Sequence, residues 1–168
     1  MDINGSVDFS GTVDGDGNIL TFSFSFNKLS SDIGGDSVTM GGEMSFDVTS
    51  SPYVLTMTLL IRNNHTNQVH WVRNYRITIT EDIDCADIEM SGTFYHPDYG
   101  YVTLSTSEPL RLCGSDDYPS SGILLVTGKN GTKARLTCHS STTYQVETDT
   151  NGDGSYDFDT GVSNWADL

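Results

Sequence analysis

Toward its C-terminal end the chain reads Asp149-Thr150-Asn151-Gly152-Asp153-Gly154-Ser155-Tyr156-Asp157. Oxygen-bearing side chains at alternate positions, a glycine where a sharp turn is needed and a further acid beyond it make a donor set for a hard cation. Calcium takes six to eight oxygen ligands and tolerates irregular geometry. Asp149, Asn151, Asp153 and Asp157 would supply side-chain oxygens, and Ser155 a main-chain carbonyl. The same residues also suit a solvated acidic hairpin, because Asn-Gly and Asp-Gly are good turn formers in their own right. Asp14-Gly15-Asp16-Gly17-Asn18 is a poorer copy, with no acid further on.

Other chemistry is sparser. Three cysteines, Cys85, Cys113 and Cys138, leave one over in an oxidising compartment. Cys138 shares strand parity with Ala134 and Leu136, a core pattern. Cys113 falls on the side of Arg111, and Cys85 lies in an acidic segment. The expected pair is therefore Cys85–Cys113, with Cys138 a buried free thiol. No two cysteines have zinc-site spacing. His65 and His70 flank one loop, where they could meet at a metal or simply be exposed. Cys138 and His139 are strand neighbours and point to opposite faces, so they make no nucleophile–base pair. Serine-hydrolase elbows and zinc-protease helix motifs are absent. Trp71, Tyr75, Tyr95, Tyr99 and Tyr101 are candidates for stacking on sugars, or else cross-strand packing residues. Arg73 shares the parity of Trp71 and Tyr75; either a bulge at Arg73-Asn74 turns it outward or it lies among the aromatics.

The Asp-rich segment begins like an EF-hand loop and then departs from it, with Thr160 at the twelfth position and no flanking helix pattern. It is more similar to the Asp-x-Asn-Gly-Asp-Gly-x-x-Asp calcium loops in the hairpins of integrin-type propeller repeats. With a single good copy, a propeller is not implied. The run Tyr118-Pro119-Ser120-Ser121-Gly122, a strand to Thr127, Gly128-Lys129-Asn130-Gly131, a second strand, the acidic loop and Trp165 resembles the ends of bacterial exported proteins and lipoproteins. That resemblance implies an exported β-protein and supplies no catalytic residues.

The elements that must position these groups are strands. The chain has 168 residues, 23 acidic and 8 basic, for a formal net charge of −15. Helix-favouring Ala, Glu, Lys and Gln are scarce, while Ser, Thr, Val, Ile and aromatic residues abound. Most of the acids are Asp, a residue of turns and metal loops. The charge excess argues against nucleic acid, which requires clustered cations to displace counterions, and against anionic membrane surfaces. No stretch approaches the ~20 apolar residues of a transmembrane segment. The start carries no basic and apolar signal-peptide pattern; a composition poor in Lys, rich in Ser, Thr, Asp, Asn and Gly and nearly free of helix favours an exported chain whose signal is not part of this sequence over a cytosolic protein that begins here.

Period-two alternation runs throughout. Leu20, Phe22, Phe24 and Phe26 alternate with Thr and Ser, as do Met44, Phe46 and Val48 with polar residues, and residues 54–61 are nearly all apolar. Residues 27–37 and 81–87 read as loops, and later strands are expected at 88–95, 101–105, 109–113, 122–128, 132–139 and 143–148. Asn130-Gly131 marks a hairpin. The reading is an all-β chain: an antiparallel β-sandwich or barrel-like meander of about twelve short strands. It forms one domain over residues 1–168, or two related sheet modules of about 1–85 and 86–168. Met40-Gly41-Gly42-x-Met44 and Met90-Ser91-Gly92-x-Phe94 are a faint repeat that would fit the latter.

The expected function is a non-catalytic, exported, calcium-binding β-domain with a binding or structural role at the cell surface or in the periplasm. Its partner would be a protein, polysaccharide or lipid. The alternatives are a carbohydrate-binding module or glycan-active enzyme, and an extracellular assembly subunit or lipid carrier.

Overall fold

The computed structural model describes residues 3–33 and 36–167. Twelve antiparallel strands form it: β1 (Ile3–Val13), β2 (Ile19–Ile33), β3 (Asp36–Asp47), β4 (Tyr53–Asn63), β5 (Val69–Asp82), β6 (Cys85–His96), β7 (Gly100–Cys113), β8 (Ser121–Thr127), β9 (Lys133–Ser140), β10 (Thr143–Asp149), β11 (Phe158–Asp159) and β12 (Ser163–Asn164). Each strand from β1 to β11 lies beside its sequence neighbour, and β12 pairs with β10. The fold is thus an all-β meander, open between β1 and β11. It has the expected number of strands, but β1 to β7 are 11 to 15 residues long rather than short. No helix is long and apolar enough to cross a membrane among the described residues.

The contacts divide the chain into two compact units. One runs up to Arg76 and includes Gly92–Gly100; the other comprises Ile77–Ser91 and the chain from Tyr101 onward. Neither is a continuous half of the sequence.

In the first unit the alternation sets two unlike faces. Phe9 lies opposite Phe24, Phe22 opposite Phe46, and Phe46 opposite Leu55. Their rings pack at centroid distances of 5.2 Å for Phe9–Phe24 and 4.4 Å for Phe22–Phe46. Such cross-strand pairs are the unit of sheet stabilisation. The intervening positions carry hydroxyl pairs: Ser10–Ser23 at 2.7 Å, Thr12–Thr21 at 2.8 Å and Ser45–Thr56 at 2.7 Å.

Bulges explain where the alternation misleads. Residues 27–33 continue β2 instead of forming a loop, because the register shifts between Phe26 and Leu29, with Lys28 at φ 50°, and then resumes. Residues 34–35 of that expected loop lie outside the described residues. A second bulge sits in β5, where Asn74 has φ 51° and gives its N–H to Thr58 Oγ1 at 3.2 Å. Beyond an inserted residue the parity inverts. Accordingly, half-buried positions step from Val72 to Tyr75 across Asn74 and then alternate to Ile77. Arg73 is exposed and its guanidinium stacks over Trp71 at 5.3 Å, so both readings of Arg73 hold in part. Gly42, at φ 133°, is pressed against β4: a Cβ there would stand 2.1 Å from the Thr58 carbonyl oxygen. A Cβ on Gly92 would stand 2.8 Å from the Tyr75 ring. The faint repeat therefore marks two strands that approach a neighbour's backbone or ring at a glycine.

The second unit has a sealed centre. Leu110, Cys138, Tyr144 and Trp165 are buried, with Ile88, Met90, Leu136 and Val146 packed against them. Trp165 stacks between Tyr144 and Tyr118 and donates its indole N–H to the Ser140 carbonyl. The expected strands at 101–105 and 109–113 are one strand, β7, because two register irregularities between Thr106 and Arg111 absorb the break around Pro109. The acidic segment 81–87 reduces to a tight turn at Ile83-Asp84. There Arg111 ion-pairs with Asp82 at 2.8 Å and Asp87 at 3.0 Å, and Cys85 is bonded to Cys113 while Cys138 is free and buried. Both cysteine expectations match the structure.

The disulfide closes a span of 28 residues, for which the chain-entropy estimate gives about 3–4 kcal/mol. The Cys85→Ser/Cys113→Ser double variant should lose about that much in urea unfolding. The intact protein should show a single thiol to Ellman's reagent, and only after denaturation.

Candidate functional site

The loop joining β10 to β11 is built from the Asp-rich segment. Asp149, the last residue of β10, is 2 % exposed, and its carboxylate accepts the N–H groups of Gly152 at 2.7 Å and Gly154 at 2.9 Å. Those two donors satisfy a charge that burial would otherwise penalise. Asn151 Oδ1 accepts the Asp153 N–H at 2.8 Å, and Asp153 Oδ1 accepts the Ser155 N–H at 2.8 Å. Side chains capping the backbone two residues on are the reason Asn and Asp populate such turns. Asp157 Oδ2 accepts both the N–H and the hydroxyl of Thr150, at 2.8 and 2.6 Å. The Asn151 amide donates across the loop to Asp153 Oδ2 at 3.1 Å and Asp157 Oδ1 at 3.3 Å.

Gly152 has φ +79°, and a Cβ on it would lie 2.2 Å from the Asn130 carbonyl oxygen. Only glycine lets the acidic loop seat against the Asn130-Gly131 turn between β8 and β9. On the adjoining strands, Arg135 is ion-paired with Glu147, its cross-strand partner, and lies 4.5 Å over the Tyr156 ring. The Glu147 hydrogen bond, more than any other contact, pushes the Arg135 pKa up. The Thr150 hydroxyl, then its N–H, hold the Asp157 carboxyl below its ordinary value of 3.8. The Gln145 amide does most to lower Asp159.

Of the sequence-predicted ligands, Asn151, Asp153 and Asp157 are joined by side-chain hydrogen bonds and Ser155 meets Asp153 through its N–H, while the Asp149 carboxylate is turned to the backbone N–H groups of Gly152 and Gly154. Among the described residues, no group of three or more His, Cys, Asp and Glu side chains is assembled for a metal ion. The poorer copy at Asp14 is a self-satisfied turn. Its carboxylate accepts the N–H groups of Asp16 and Asn18, both at 2.9 Å, and the Asn18 amide at 2.8 Å.

The histidine reading shifts. His70 packs against His96, with ring centroids 4.9 Å apart, while the His65 N–H caps onto Asn63. The aromatic candidates have partners of their own: Trp71 under Arg73, Tyr75 against Phe94, and Tyr99 against His96. A feature without a sequence signal is a depression of about 420 Å³ in the second unit, lined by Asp116, Asp117, Tyr118, Asn164, Trp165 and Asp167.

What fold and loop define is a class: a disulfide-stapled antiparallel meander ending in an aspartate-rich hairpin loop. No protein family, no curated protein and no solved structure matches this chain.

A carboxyl whose folded pKa lies below its unfolded one contributes stability that is complete above the unfolded value and is lost as pH falls through the folded one. The Asp157 carboxyl should therefore titrate below 3.8 in a side-chain NMR pH series. Protection of the Thr150 amide from exchange should fall along the same titration, and should be absent at neutral pH in Asp157→Ala.

Proposed function

We propose that the chain is a non-catalytic, exported β-domain whose C-terminal hairpin is fastened by a calcium ion at residues 149–157. The observation that carries this reading is the gathering of Asp149, Asn151, Asp153 and Asp157 within one short loop. There the Asn151 amide hydrogens serve as the positive partner between two carboxylates. A cation would take that partner's place, and rotation of the Asn151 amide would offer its oxygen instead; the Ser155 carbonyl and water would complete an oxygen shell. Its role is structural: the loop seats on the β8–β9 turn through Gly152 and returns the chain to β11, so a bound ion would tie two strand connections together. The Cys85–Cys113 bond supports the exported reading, since disulfides persist in oxidising compartments. A protein, polysaccharide or lipid partner at the cell surface or in the periplasm fits a module of this kind.

A ligand that binds only the native state raises its melting point. Calcium at about a hundred times its dissociation constant contributes about 2.7 kcal/mol, which for a chain of this size is a rise of about 5–10 °C in Tm. Calorimetry with excess Ca²⁺ against EDTA should show that rise, and Asp149→Asn, Asp153→Asn and Asp157→Asn should each diminish it. Identical melts in the two conditions would dismiss a structural calcium.

A second reading, glycan binding, is favoured by the depression beside Trp165. Tyr118 lies parallel to Trp165, 4° between planes, with Asp116, Asp117 and Asp167 around the same space. Trp165 is covered on both sides, so the outer face of Tyr118, backed by that stack and flanked by carboxylates, is the platform for a sugar ring. In affinity electrophoresis through a panel of polysaccharides, at least one gel should retard the protein and release Tyr118→Ala. Uniform mobility in every gel, or retardation unchanged in the variant, would remove this reading.

A further inference from the structure

The first unit carries a second group of metal-competent side chains that owes nothing to the acidic loop. His70 is the second residue of β5 and His96 the last of β6. The two strands are neighbours in the sheet, joined by the tight turn at Ile83-Asp84. Counting outward from that turn, with one residue absorbed by the bulge at Asn74, sets His70 across from His96. Their rings meet edge to face, with centroids 4.9 Å apart and planes at 81°.

That separation has a chemical meaning. Two imidazoles on one tetrahedral divalent metal, with metal–nitrogen bonds of about 2.0–2.1 Å, hold their ring centres about 5 Å apart. The pair is therefore spaced as chelating ligands are, and turning the ring that now presents its face, with no strand movement, would aim both nitrogens at one ion. His70 is exposed and the His96 side chain is 42 % exposed, so water could fill the remaining coordination positions.

Neighbouring groups add what a metal-binding imidazole usually has behind it, a carboxylate on its other nitrogen. Asp98 Oδ2 stands 4.0 Å from His96 Nδ1, which at present accepts the Asp98 N–H at 3.2 Å. The Gln68 amide holds the same carboxylate at 3.3 and 3.4 Å, and the Tyr99 ring packs on His96 at 4.6 Å. When Nε2 takes a metal, the ring proton belongs on Nδ1, which then gives up the Asp98 N–H it accepts now, and a turn of the Asp98 side chain from 4.0 Å would bring its carboxylate to receive that proton.

We propose that His70 and His96 form a surface site for a borderline divalent transition metal, Zn²⁺ or Cu²⁺, with Asp98 as the positioning carboxylate behind His96. Imidazole nitrogen selects these ions over calcium, which prefers oxygen, so this site and the acidic loop would take different metals from the same solution.

The test is a zinc titration of the whole chain in excess Ca²⁺, which occupies the oxygen sites, followed by calorimetry and by NMR of the imidazole carbons. Only four histidines are present, so each can be assigned. Zinc should bind one to one, shifting the His70 and His96 resonances and leaving those of His65 and His139 in place. His70→Gln and His96→Gln should each weaken binding at least tenfold, Asp98→Asn about tenfold, and His65→Gln not at all. Zinc affinity unchanged in both His70→Gln and His96→Gln would overturn the proposal. So would movement of all four histidine signals together in the unaltered protein, a readout that stands even if a variant folds poorly.

Discussion

Much of this protein turns on where its strands gain a residue. Side chains alternate across a strand with a period of two, so one inserted residue sends everything beyond it to the other face. In an open meander no closure condition corrects the error; each strand takes its register from the one beside it. The bulge at Asn74 is the clearest case. Before it, Val69 and Val72 are half-buried while Trp71 and Arg73 are exposed; after it, Tyr75 and Ile77 are half-buried. The Asn74 N–H is not lost, because Thr58 Oγ1 on β4 receives it, and Thr58 also presents its carbonyl to the space a Cβ on Gly42 would need. The close glycine of β3 and the bulge of β5 are thus linked through one threonine of β4. Glycine and bulge together are the devices that curve a sheet.

The two units reach stability by different means. The first distributes half-buried apolar contacts across its strands, with Phe9, Phe22, Phe24 and Phe46 as its aromatic ladder. The second concentrates burial at Leu110, Cys138, Tyr144 and Trp165. It adds fasteners at the Ile83-Asp84 turn, where a disulfide and the Asp82–Arg111–Asp87 ion pairs meet within a few residues. Aspartate closes turns in both. Asp14, Asp47 and Asp157 each accept hydrogen bonds from groups a few residues away, and each has its pKa lowered chiefly by a side-chain partner, Asn18, Thr49 and Thr150 respectively. A good part of the −15 charge is therefore the by-product of building turns from carboxylates. These contributions all have the same sign with pH: present above the ordinary carboxyl value and withdrawn below it.

What could be read from sequence divides along the same line. Stretches without insertions were legible: the Phe22-Phe24-Phe26 face, the Met44-Phe46 face and the Asn130-Gly131 hairpin all follow from local alternation and turn chemistry. So did the cysteines, since Cys138 shares the buried parity of its strand. The fate of residues 27–33, the continuity of β7 past Pro109 and the meeting of His70 with His96 were not legible. Each depends on a register shift that leaves only a positive φ at a non-glycine residue, or a glycine across the way, as its trace. Asn is the residue that tolerates such a φ best after glycine. Asn74 could therefore have been suspected, but nothing local says that Lys28, at φ 50°, would do the same. For the acidic loop, sequence put the carboxylates and Asn151 in one turn; it could not say that backbone N–H groups would claim Asp149.

That last point bears on how such a loop works. Asp149 spends both its oxygens on Gly152 and Gly154, and Asp157 spends one on Thr150. These bonds fix the loop's path without any ion. What remains free to change is the centre, where the Asn151 amide bridges Asp153 Oδ2 and Asp157 Oδ1. A carboxylate oxygen has a second lone pair, so a cation need not break the bonds to Gly152, Gly154 and Thr150; it would displace the Asn151 amide, whose rotation also releases the Asp153 N–H. The scaffold is in this sense prepaid by turn chemistry, and the ion's free energy would go chiefly into holding Asp153 and Asp157 together. Without it, those two carboxylates are reconciled by Asn151 alone, which makes that amide, more than any aspartate, the group whose loss should open the loop.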